Sequence, residues 1–278
     1  MTTTNAPTTS RAEGYDSFYK AFDSPLMREL RKEAYGEDIG QHSWVTAEEL
    51  RTDLSRLALT PSSRLLDAGC GPCGPLTFVL RTVGCYGTGT ELSAAALAAG
   101  RTRAAALGVD SRLTLLEADL NEAMPFERGA FDAVMSLDVI LHLRDRTQFF
   151  GEVARVLAPK GRFLFTDAGV ITGSISNQEV MLRSAHGYTQ FVAPGYNERA
   201  LELAGFRLIE TEDRIESVEK NATGRLTARL ARKAAFEQLE GVAGFARQQR
   251  YLETVIGLSR RRALSRTMYL AERAGTPG

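Results

Sequence analysis

The stretch LLDAGCGPCG, residues 65–74, carries more structural information than any other part of this sequence. The short segment RLLD at 64–67 predicts a β-strand, and the apolar segment at 75–83 predicts a helix. Between them, Gly69 and Gly71 lack a Cβ atom, so the backbone can turn tightly and approach a ligand closely. The first turn of the helix presents backbone N–H groups that have no intrahelical acceptor. The stretch therefore predicts a strand–turn–helix unit that can bind a ligand at its turn.

Outward from this unit, predicted strands alternate with predicted helices along most of the chain. The strands cover residues 64–67, 85–90, 113–117, 131–136, 162–167, 206–215 and 264–273. One helix has Thr46 as its N-cap with Glu49 completing a capping box, and an Ala-rich helix begins after Ser93. Residues 216–260 predict one long helical stretch. The alternation favours an α/β fold with a parallel sheet and right-handed crossovers.

Composition excludes several classes of protein. The 278 residues are 44% hydrophobic and 24% charged, which is typical of a globular chain and not of a disordered one. Lys and Arg number 34 and Asp and Glu also number 34, so charge gives no reason to expect a nucleic acid or membrane partner. Three cysteines are too few for a disulfide framework. No stretch is typical of a membrane span or a secretory signal, and we expect a cytoplasmic protein.

The sequence predicts one large domain with an N-terminal extension and two cap insertions. We expect a disordered tail at 1–13, an N-terminal helical lid at 14–60, and a core at 61–278. Cap insertions are expected at about 168–204 and 216–260. The loop at 35–44 ends on Trp44, the only tryptophan, and is a candidate cover for a ligand site. The N-terminal helix could also dock on a second copy of the chain.

An acidic residue follows the next predicted strand. Glu91 lies 20 residues after Gly71, and a carboxylate at that place can accept both hydroxyls of a ribose. The spacing Gly69-x-Gly71-x-x-Gly74 also fits the dinucleotide-binding fingerprint. These two features alone therefore leave an NAD(P)-dependent oxidoreductase open.

A second acidic residue, Asp119, follows the third predicted strand, and the segment FDAVMSLDVILHL (131–143) comes soon after it. With these features the sequence resembles the class I S-adenosylmethionine-dependent methyltransferases, in the small-molecule branch that includes natural-product-tailoring and phosphoethanolamine enzymes. The family's motif D-x-G-C-G-x-G is matched from Asp67 to Cys73, with Cys73 where a third glycine is common. The resemblance covers about residues 60–170.

The resemblance implies a Rossmann-like, seven-stranded, mostly parallel sheet with helices on both faces and an α-helical cap. It also implies S-adenosylmethionine as the cofactor, with Glu91 binding the ribose, Asp119 binding the adenine amino group and the carbonyls of Gly69 and Leu137 receiving the ammonium. The full set of candidate cofactor-binding residues is Gln41, Ser43, Asp67, Gly69, Gly71, Glu91, Leu92, Asp119, Leu120 and Leu137.

His142 is the candidate catalytic base. Methyl transfer requires proximity, alignment and, for some nucleophiles, a base, and unperturbed imidazole titrates near ~6.5. His142 follows the fourth strand at the carboxyl edge of the sheet, where open α/β sheets bind ligands. The segment SLDVILHL also resembles the corresponding segment of phosphoethanolamine and sugar-tailoring methyltransferases, in which this histidine assists catalysis. Asp167 could orient it, although a packing role for His142 remains an alternative.

Between the fifth and sixth strands lies a candidate substrate-binding group. It consists of Arg183, Tyr188, Phe191 and Tyr196, with His186 beside them. An aromatic set at that place can equally form the cap's own core. The cysteine pair Cys70-x-x-Cys73 lies inside the glycine-rich turn and has no second pair, so no metal is expected.

These features predict transfer of a methyl group from S-adenosylmethionine to an O, N or C atom of a small organic metabolite, in specialised metabolism. Two other functions stay open at this point. One is an NAD(P)-dependent oxidoreductase, and the other is a cofactor-binding scaffold without catalysis.

Overall fold

The computed structural model of the chain describes Tyr19, residues 21–184 and residues 187–275. The predicted tail at 1–13 and the candidate residue His186 lie outside the described residues. Within the described ranges, every helix is too short or too polar to cross a membrane.

Helices and strands alternate through the middle of the chain. The helices are α1 (Pro25–Tyr35), α2 (Ala47–Leu57), α3 (Gly74–Val83), α4 (Ala94–Leu107), α5 (Arg146–Val156), α6 (Asn177–Arg183), α7 (Tyr196–Leu203), α8 (Ile215–Ala231) and α9 (Lys233–Arg260). The strands are β1 (Arg64–Ala68), β2 (Tyr86–Glu91), β3 (Leu113–Glu117), β4 (Phe131–Leu137), β5 (Leu157–Ile171), β6 (Phe206–Asp213) and β7 (Leu264–Arg273).

The seven strands form one sheet in the order β3-β2-β1-β4-β5-β7-β6. Strands β1 to β5 are mutually parallel, while β7 is antiparallel to both β5 and β6. The predicted fold class, a Rossmann-like and mostly parallel seven-stranded sheet, is confirmed.

The centre of the sheet is buried on both faces because helices cover each of them, whereas the edge strand β6 is mostly exposed. Successive residues of a strand point to opposite faces, and in β1 Leu65 packs into one apolar cluster while Leu66 packs into another. The first cluster includes Val79 of α3, and the second includes Phe149 of α5. This two-sided burial explains why the central strand β4 is largely apolar instead of alternating between apolar and polar residues.

Strand β1 lies at the point where the strand order reverses, since its neighbours are β2 on one side and β4 on the other. In open α/β sheets, ligands bind beyond the carboxyl ends of the strands at such a point. The glycine-rich turn that follows β1 is therefore at the place where a binding crevice forms.

The predicted capping box at the start of α2 is present. The Glu49 backbone N–H donates to Thr46 Oγ1 at 3.1 Å, and the Thr46 N–H donates to Glu49 Oε2 at 3.3 Å. The long helical stretch predicted over 216–260 is interrupted at Arg232 and again at Gly241, where the backbone is not helical. Within α9, Gly241 has φ +77°, a conformation that glycine adopts without steric cost. Helices α8 and α9 pack against each other, and α1 packs against α8.

Candidate active site

The glycine-rich turn is bonded to the tip of the neighbouring strand. The backbone N–H groups of Gly69 and Cys70 both donate to the Thr90 carbonyl, each at 2.9 Å. Gly69 has φ +81°, and a Cβ atom there would stand 2.6 Å from Val139 Cγ2. Glycine is required at this position because both the conformation and the space exclude a side chain.

Glu91 at the end of β2 is held by backbone amides. The Gly71 N–H donates to Glu91 Oε2 at 3.0 Å, and the N–H groups of Leu92 and Ser93 donate to Oε1 at 2.8 and 3.0 Å. These bonds fix the carboxylate between the turn and the start of α4. The acid predicted to bind ribose is thus preorganised beside the turn.

Asp67 at the end of β1 is almost fully buried. Burial, and secondarily the negative charge of Glu91, raise the pKa of Asp67 to about 8. Near neutral pH its carboxyl group is therefore mostly protonated, and a cationic ligand would favour its ionised form.

Asp119 follows β3 and bonds to its own loop. Its Oδ1 accepts the backbone N–H of Asn121 at 3.0 Å and the Asn121 side-chain amide at 2.6 Å. Leu120 is buried beside it. These bonds hold the acid at the tip of β3, one strand beyond Glu91.

A cavity of about 190 Å³ joins these strand tips. Eleven of the residues predicted from sequence line it: Ser43, Asp67, Gly69, Gly71, Glu91, Leu92, Asp119, Leu120, Leu137, His142 and Arg183. Residues that the sequence did not single out also line it, among them Tyr19, Asp138, Arg225 and Tyr251. Asp138 directly follows a strand, which was a usable signal, whereas Arg225 and Tyr251 come from long helices that give no local signal.

Asp138 supports the cover of the cavity. It has φ +60°, a conformation that Asp tolerates better than most residues, and its Oδ2 accepts the Trp44 backbone N–H at 2.8 Å. Burial alone would raise the pKa of Asp138, but Arg266, the Trp44 amide and the Thr166 hydroxyl together lower it. Arg266 lies 2.9 Å from Asp138 and 2.9 Å from Glu49. This network ties the cover, α2 and β7 to the end of β4.

His142 lines the cavity, and one of its ring nitrogens forms a hydrogen bond with the protein backbone. Its Nδ1 lies 2.9 Å from the Tyr188 carbonyl oxygen, which can only accept, so Nδ1 carries the proton. In the neutral ring Nε2 then holds a lone pair, the form that a general base requires.

The predicted pairing of Asp167 with His142 is wrong. Asp167 is fully buried and its Oδ2 lies 2.5 Å from Arg146 and 2.8 Å from the Asn197 amide, while its Oδ1 accepts the Gly169 N–H. Burying a carboxylate is unfavourable unless an opposite charge compensates for the lost hydration, and Arg146 supplies that charge at Asp167. Asp167 is thus a structural anion, outside the lining of the cavity.

Four other candidates also lie away from the cavity lining. The Gln41 side chain is turned into its own loop, where it accepts the Ile39 N–H at 2.9 Å and donates to the Glu37 carbonyl at 3.1 Å. Phe191 packs on the apolar cluster that contains Leu264. The remaining two, Tyr188 and Tyr196, are 50% and 40% exposed. Of the predicted substrate group, the structure brings only Arg183 to the cavity.

The two cysteines of the turn are buried thiols. Their Sγ atoms lie 3.5 Å apart, and the hydrogen bond to Cys73 together with burial raises the pKa of Cys70. A raised pKa lowers thiolate content and reactivity. Among the residues that the structure describes, no cluster of three or more potential metal ligands occurs.

Comparison with known proteins finds methyltransferases among both families and individual relatives. A family model described as a methyltransferase domain matches residues 66–165. The sarcosine/dimethylglycine N-methyltransferase of Halorhodospira halochloris is 31% identical over 205 residues, which are 71% of this chain and 69% of that protein. The 27-O-demethylrifamycin SV methyltransferase of Amycolatopsis mediterranei (strain S699) is 32% identical over 164 residues, 56% of this chain and 57% of that protein.

Another relative, the glycine/sarcosine/dimethylglycine N-methyltransferase of Actinopolyspora halophila, is 31% identical over 177 residues, or 64% of this chain and 31% of that protein. The chain spans about a third to a half of the length of the first four curated relatives that it matches. The crystal structure of geranyl diphosphate C-methyltransferase from Streptomyces coelicolor A3(2) matches with a TM-score of 0.73 at 20% identity, over 97% of this chain and 100% of that chain. At that identity the structural match establishes the fold.

Proposed function

The chain belongs to the class I S-adenosylmethionine-dependent methyltransferases, and from this premise we propose that it methylates an O, N or C atom of a small organic metabolite. One observation carries the proposal. A single cavity joins a glycine-rich turn after β1, an acid after β2 and another acid after β3. Family membership and this arrangement favour methyl transfer over the oxidoreductase function that the glycine spacing left open.

The residues present fit an adenosyl cofactor. Glu91, fixed by three backbone amides, is positioned to accept ribose hydroxyls, and Asp119 with the Leu120 N–H suits the edge of adenine. Asp67, mostly neutral without ligand, can ionise beside an ammonium group. A Cβ atom on Gly71 would stand 3.3 Å from Tyr19 Oη, so the glycine keeps the space above the turn open. When bound, the cofactor supplies a methyl group activated by a positively charged sulfur.

His142 is proposed as the base that removes the proton of the acceptor. Its Nδ1 is engaged by the Tyr188 carbonyl, so Nε2 is the atom that takes the proton. His142 follows β4, which lies in the sheet between β1 and β5. The proposed cofactor site begins at the turn after β1, and Arg183 contacts Ala168 of β5. That position suits a group that works on the acceptor and not on the adenosyl moiety.

Calorimetric titration with S-adenosylmethionine, S-adenosylhomocysteine and NADH tests the cofactor. We expect the first two to bind and NADH not to bind. The double variant Glu91→Gln/Asp119→Asn should lose about 100-fold or more in affinity, because each carboxylate accepts hydrogen bonds worth about 1.5–3 kcal/mol. Exposed Glu122→Gln, three residues beyond Asp119, is the matched control and should keep full affinity. Binding of NADH alone, or full affinity in the folded double variant, contradicts the proposal.

The role of His142 is tested once a screen for release of S-adenosylhomocysteine has found an acceptor. His142→Ala should lower kcat by about 10²–10⁴-fold, the usual contribution of a positioned base. Its affinity for S-adenosylhomocysteine should not change, since the ring is assigned to the acceptor. Unchanged kcat removes His142 from the mechanism, and cofactor binding without transfer to any acceptor favours a scaffold.

The biological setting is proposed on broader grounds. The relative named for methylation of 27-O-demethylrifamycin SV supports a place in specialised metabolism. The cytoplasmic location, the absence of nucleic acid and membrane partners, the helical lid and the docking of the N-terminal helix on a second copy stay predictions of the sequence.

A further inference from the structure

One buried arginine differs from all the others that the structure describes. Of the arginine side chains that the structure describes, six are buried, and five of these form an ion pair with a carboxylate: Arg31, Arg146, Arg214, Arg229 and Arg266. The sixth, Arg183, is 6% exposed, and its bonds to other described residues are to neutral groups. Its Nη1 donates to Tyr251 Oη at 3.1 Å, and its Nη2 donates to the Ala168 carbonyl at 3.4 Å.

A buried cation without a counter-charge is unfavourable. Removing a charged group from water costs several kcal/mol unless an opposite charge and hydrogen bonds compensate. Arg183 lines the cavity, and its two bonds leave further guanidinium N–H groups without an acceptor among the described residues. Within the part of the chain that the structure describes, Arg183 therefore places a positive charge at the cavity wall that no carboxylate neutralises.

A second arginine, Arg225 on α8, reaches the same cavity. The Arg225 guanidinium carbon lies 5.3 Å from the centre of the Trp44 ring, and both residues line the cavity. Arg225 Nε is buried and has no hydrogen-bond partner among the described residues. Its charge also forms no ion pair within the described ranges.

The acids of the cavity are placed elsewhere or already neutralised. Glu91 and Asp119 lie at the tips of β2 and β3, whereas Arg183 contacts Ala168 of β5. In the sheet order, β2 and β5 are three strand spacings apart, which is about 14 Å. Asp138 is bound to Arg266, and Asp67, whose pKa is raised by burial, lies near the tip of β1 beside Glu91. Trp44, which the Arg225 guanidinium covers, packs in one apolar cluster with Ala168 and Tyr251, the two residues that Arg183 contacts. The cavity thus has an acidic side for the proposed cofactor and a basic side lined by Arg183 and Arg225.

We propose that the methyl acceptor carries an anionic group, a carboxylate or a phosphate, that binds to Arg183 and Arg225. This inference rests on the proposed function and specifies its substrate class. A guanidinium donates paired N–H groups to two oxygens of such an anion. Anchoring one end of the acceptor on the basic side presents its nucleophilic atom to His142, which lines the same cavity. The two arginines then select acceptors by charge and set their orientation.

The test uses the full chain saturated with S-adenosylhomocysteine and three probes of similar shape. Benzoate carries a carboxylate, phenyl phosphate carries a phosphate, and benzamide is the neutral counterpart of benzoate. We expect the wild-type protein to bind one of the anions at least about tenfold more tightly than benzamide, since charged hydrogen bonds are worth about 1.5–3 kcal/mol. The anion with the higher affinity identifies the group.

Variants assign the binding to these side chains. Arg183→Gln and Arg225→Gln should each weaken anion binding by about 10- to 100-fold and leave the affinity for S-adenosylhomocysteine unchanged. Arg250→Gln is the matched control, because Arg250 precedes Tyr251 on α9, is exposed and forms no ion pair within the described ranges. If Arg183→Gln does not fold, the wild-type comparison of benzoate with benzamide and the anion affinity of Arg225→Gln still test the inference.

The possible failures are distinct. Equal affinity for benzoate, phenyl phosphate and benzamide overturns the inference, as does the absence of anion binding by protein that holds S-adenosylhomocysteine. Unchanged anion affinity in both arginine variants also overturns it. A protein that does not bind S-adenosylhomocysteine refutes the proposed function and this inference together.

Discussion

Asp67 is the acid whose protonation the fold perturbs most clearly. Its folded-state pKa is raised to about 8 from an ordinary value of 3.8, first by burial and then by Glu91. Between those two values the folded protein binds the proton that the unfolded chain has released. The protonated state therefore contributes stability at low pH, and that contribution is lost as the pH rises from about 4 to about 8.

Substituting Asp67→Asn should remove this dependence. The wild-type free energy of unfolding should fall relative to that of the variant by up to about 1.4 kcal/mol per pH unit within the window. Urea unfolding at several pH values from 5 to 8 measures the difference. Exposed Asp110→Asn is the control and should track the wild type. Parallel profiles for wild type and Asp67→Asn would show that the carboxyl group is ionised throughout.

At the residue level, the sequence predicts contacts that are local and misses those that cross the fold. Gly69, Gly71 and Glu91 could be identified because a short turn and one strand bring them together. The partner of Asp167 could not, because Arg146 reaches it from α5, a separate element. Arg225 and Tyr251 reach the cavity only through the packing of α8 and α9, which no local pattern specifies.

At the level of elements, the start of α3 is packed directly on the loop that covers the cavity. A Cβ atom on Gly74 would stand 2.1 Å from the Gly40 carbonyl oxygen and 2.5 Å from that of Ile39. Both neighbours are backbone atoms, so the loop itself would have to move. Ser43 and Trp44, which line the cavity, belong to the same loop.

Gly74→Ala should therefore destabilise the protein by about 1–3 kcal/mol, as overpacking usually does, and weaken binding of S-adenosylhomocysteine. Gly151→Ala is a control for which we expect the opposite change in stability. Gly151 lies on the exposed side of α5, and an added Cβ meets nothing within 4 Å. That change should stabilise by about 0.5–1 kcal/mol. Urea unfolding and calorimetric titration measure both effects, and equal behaviour of the two variants contradicts the packing argument.

Element boundaries show the same limit of sequence-based prediction. The strands at 113–117 and 264–273 were predicted with the observed bounds because apolar and β-branched residues end sharply at turn residues. Strand β5 extends well beyond the predicted 162–167, since pairing with β7 continues it to Ile171. The break at Arg232 divides a stretch whose composition is helical throughout. Tertiary pairing and packing set these bounds.

For the whole molecule, the order of strands in space differs from their order in the chain. Strand β7, the last one described, is inserted between β5 and β6, with Leu164 and Leu270 paired in register. Its Arg266 also bonds to Asp138 and Glu49. The sheet and the cover of the cavity are therefore completed only when the far end of the chain pairs with the middle.

Shortening a buried side chain of β7 should accordingly lower the free energy of unfolding more than the same change on the edge strand. Leu270 is 3% exposed and packs with Leu164 and Met135, whereas Leu208 on the edge strand β6 is 37% exposed. We expect Leu270→Ala to lower the free energy of unfolding by about 2–5 kcal/mol and Leu208→Ala to lower it by less than about 1 kcal/mol. Urea unfolding with and without S-adenosylhomocysteine compares them. Equal losses would contradict the expectation that the buried strand β7, between β5 and β6, contributes more to stability than the edge strand does.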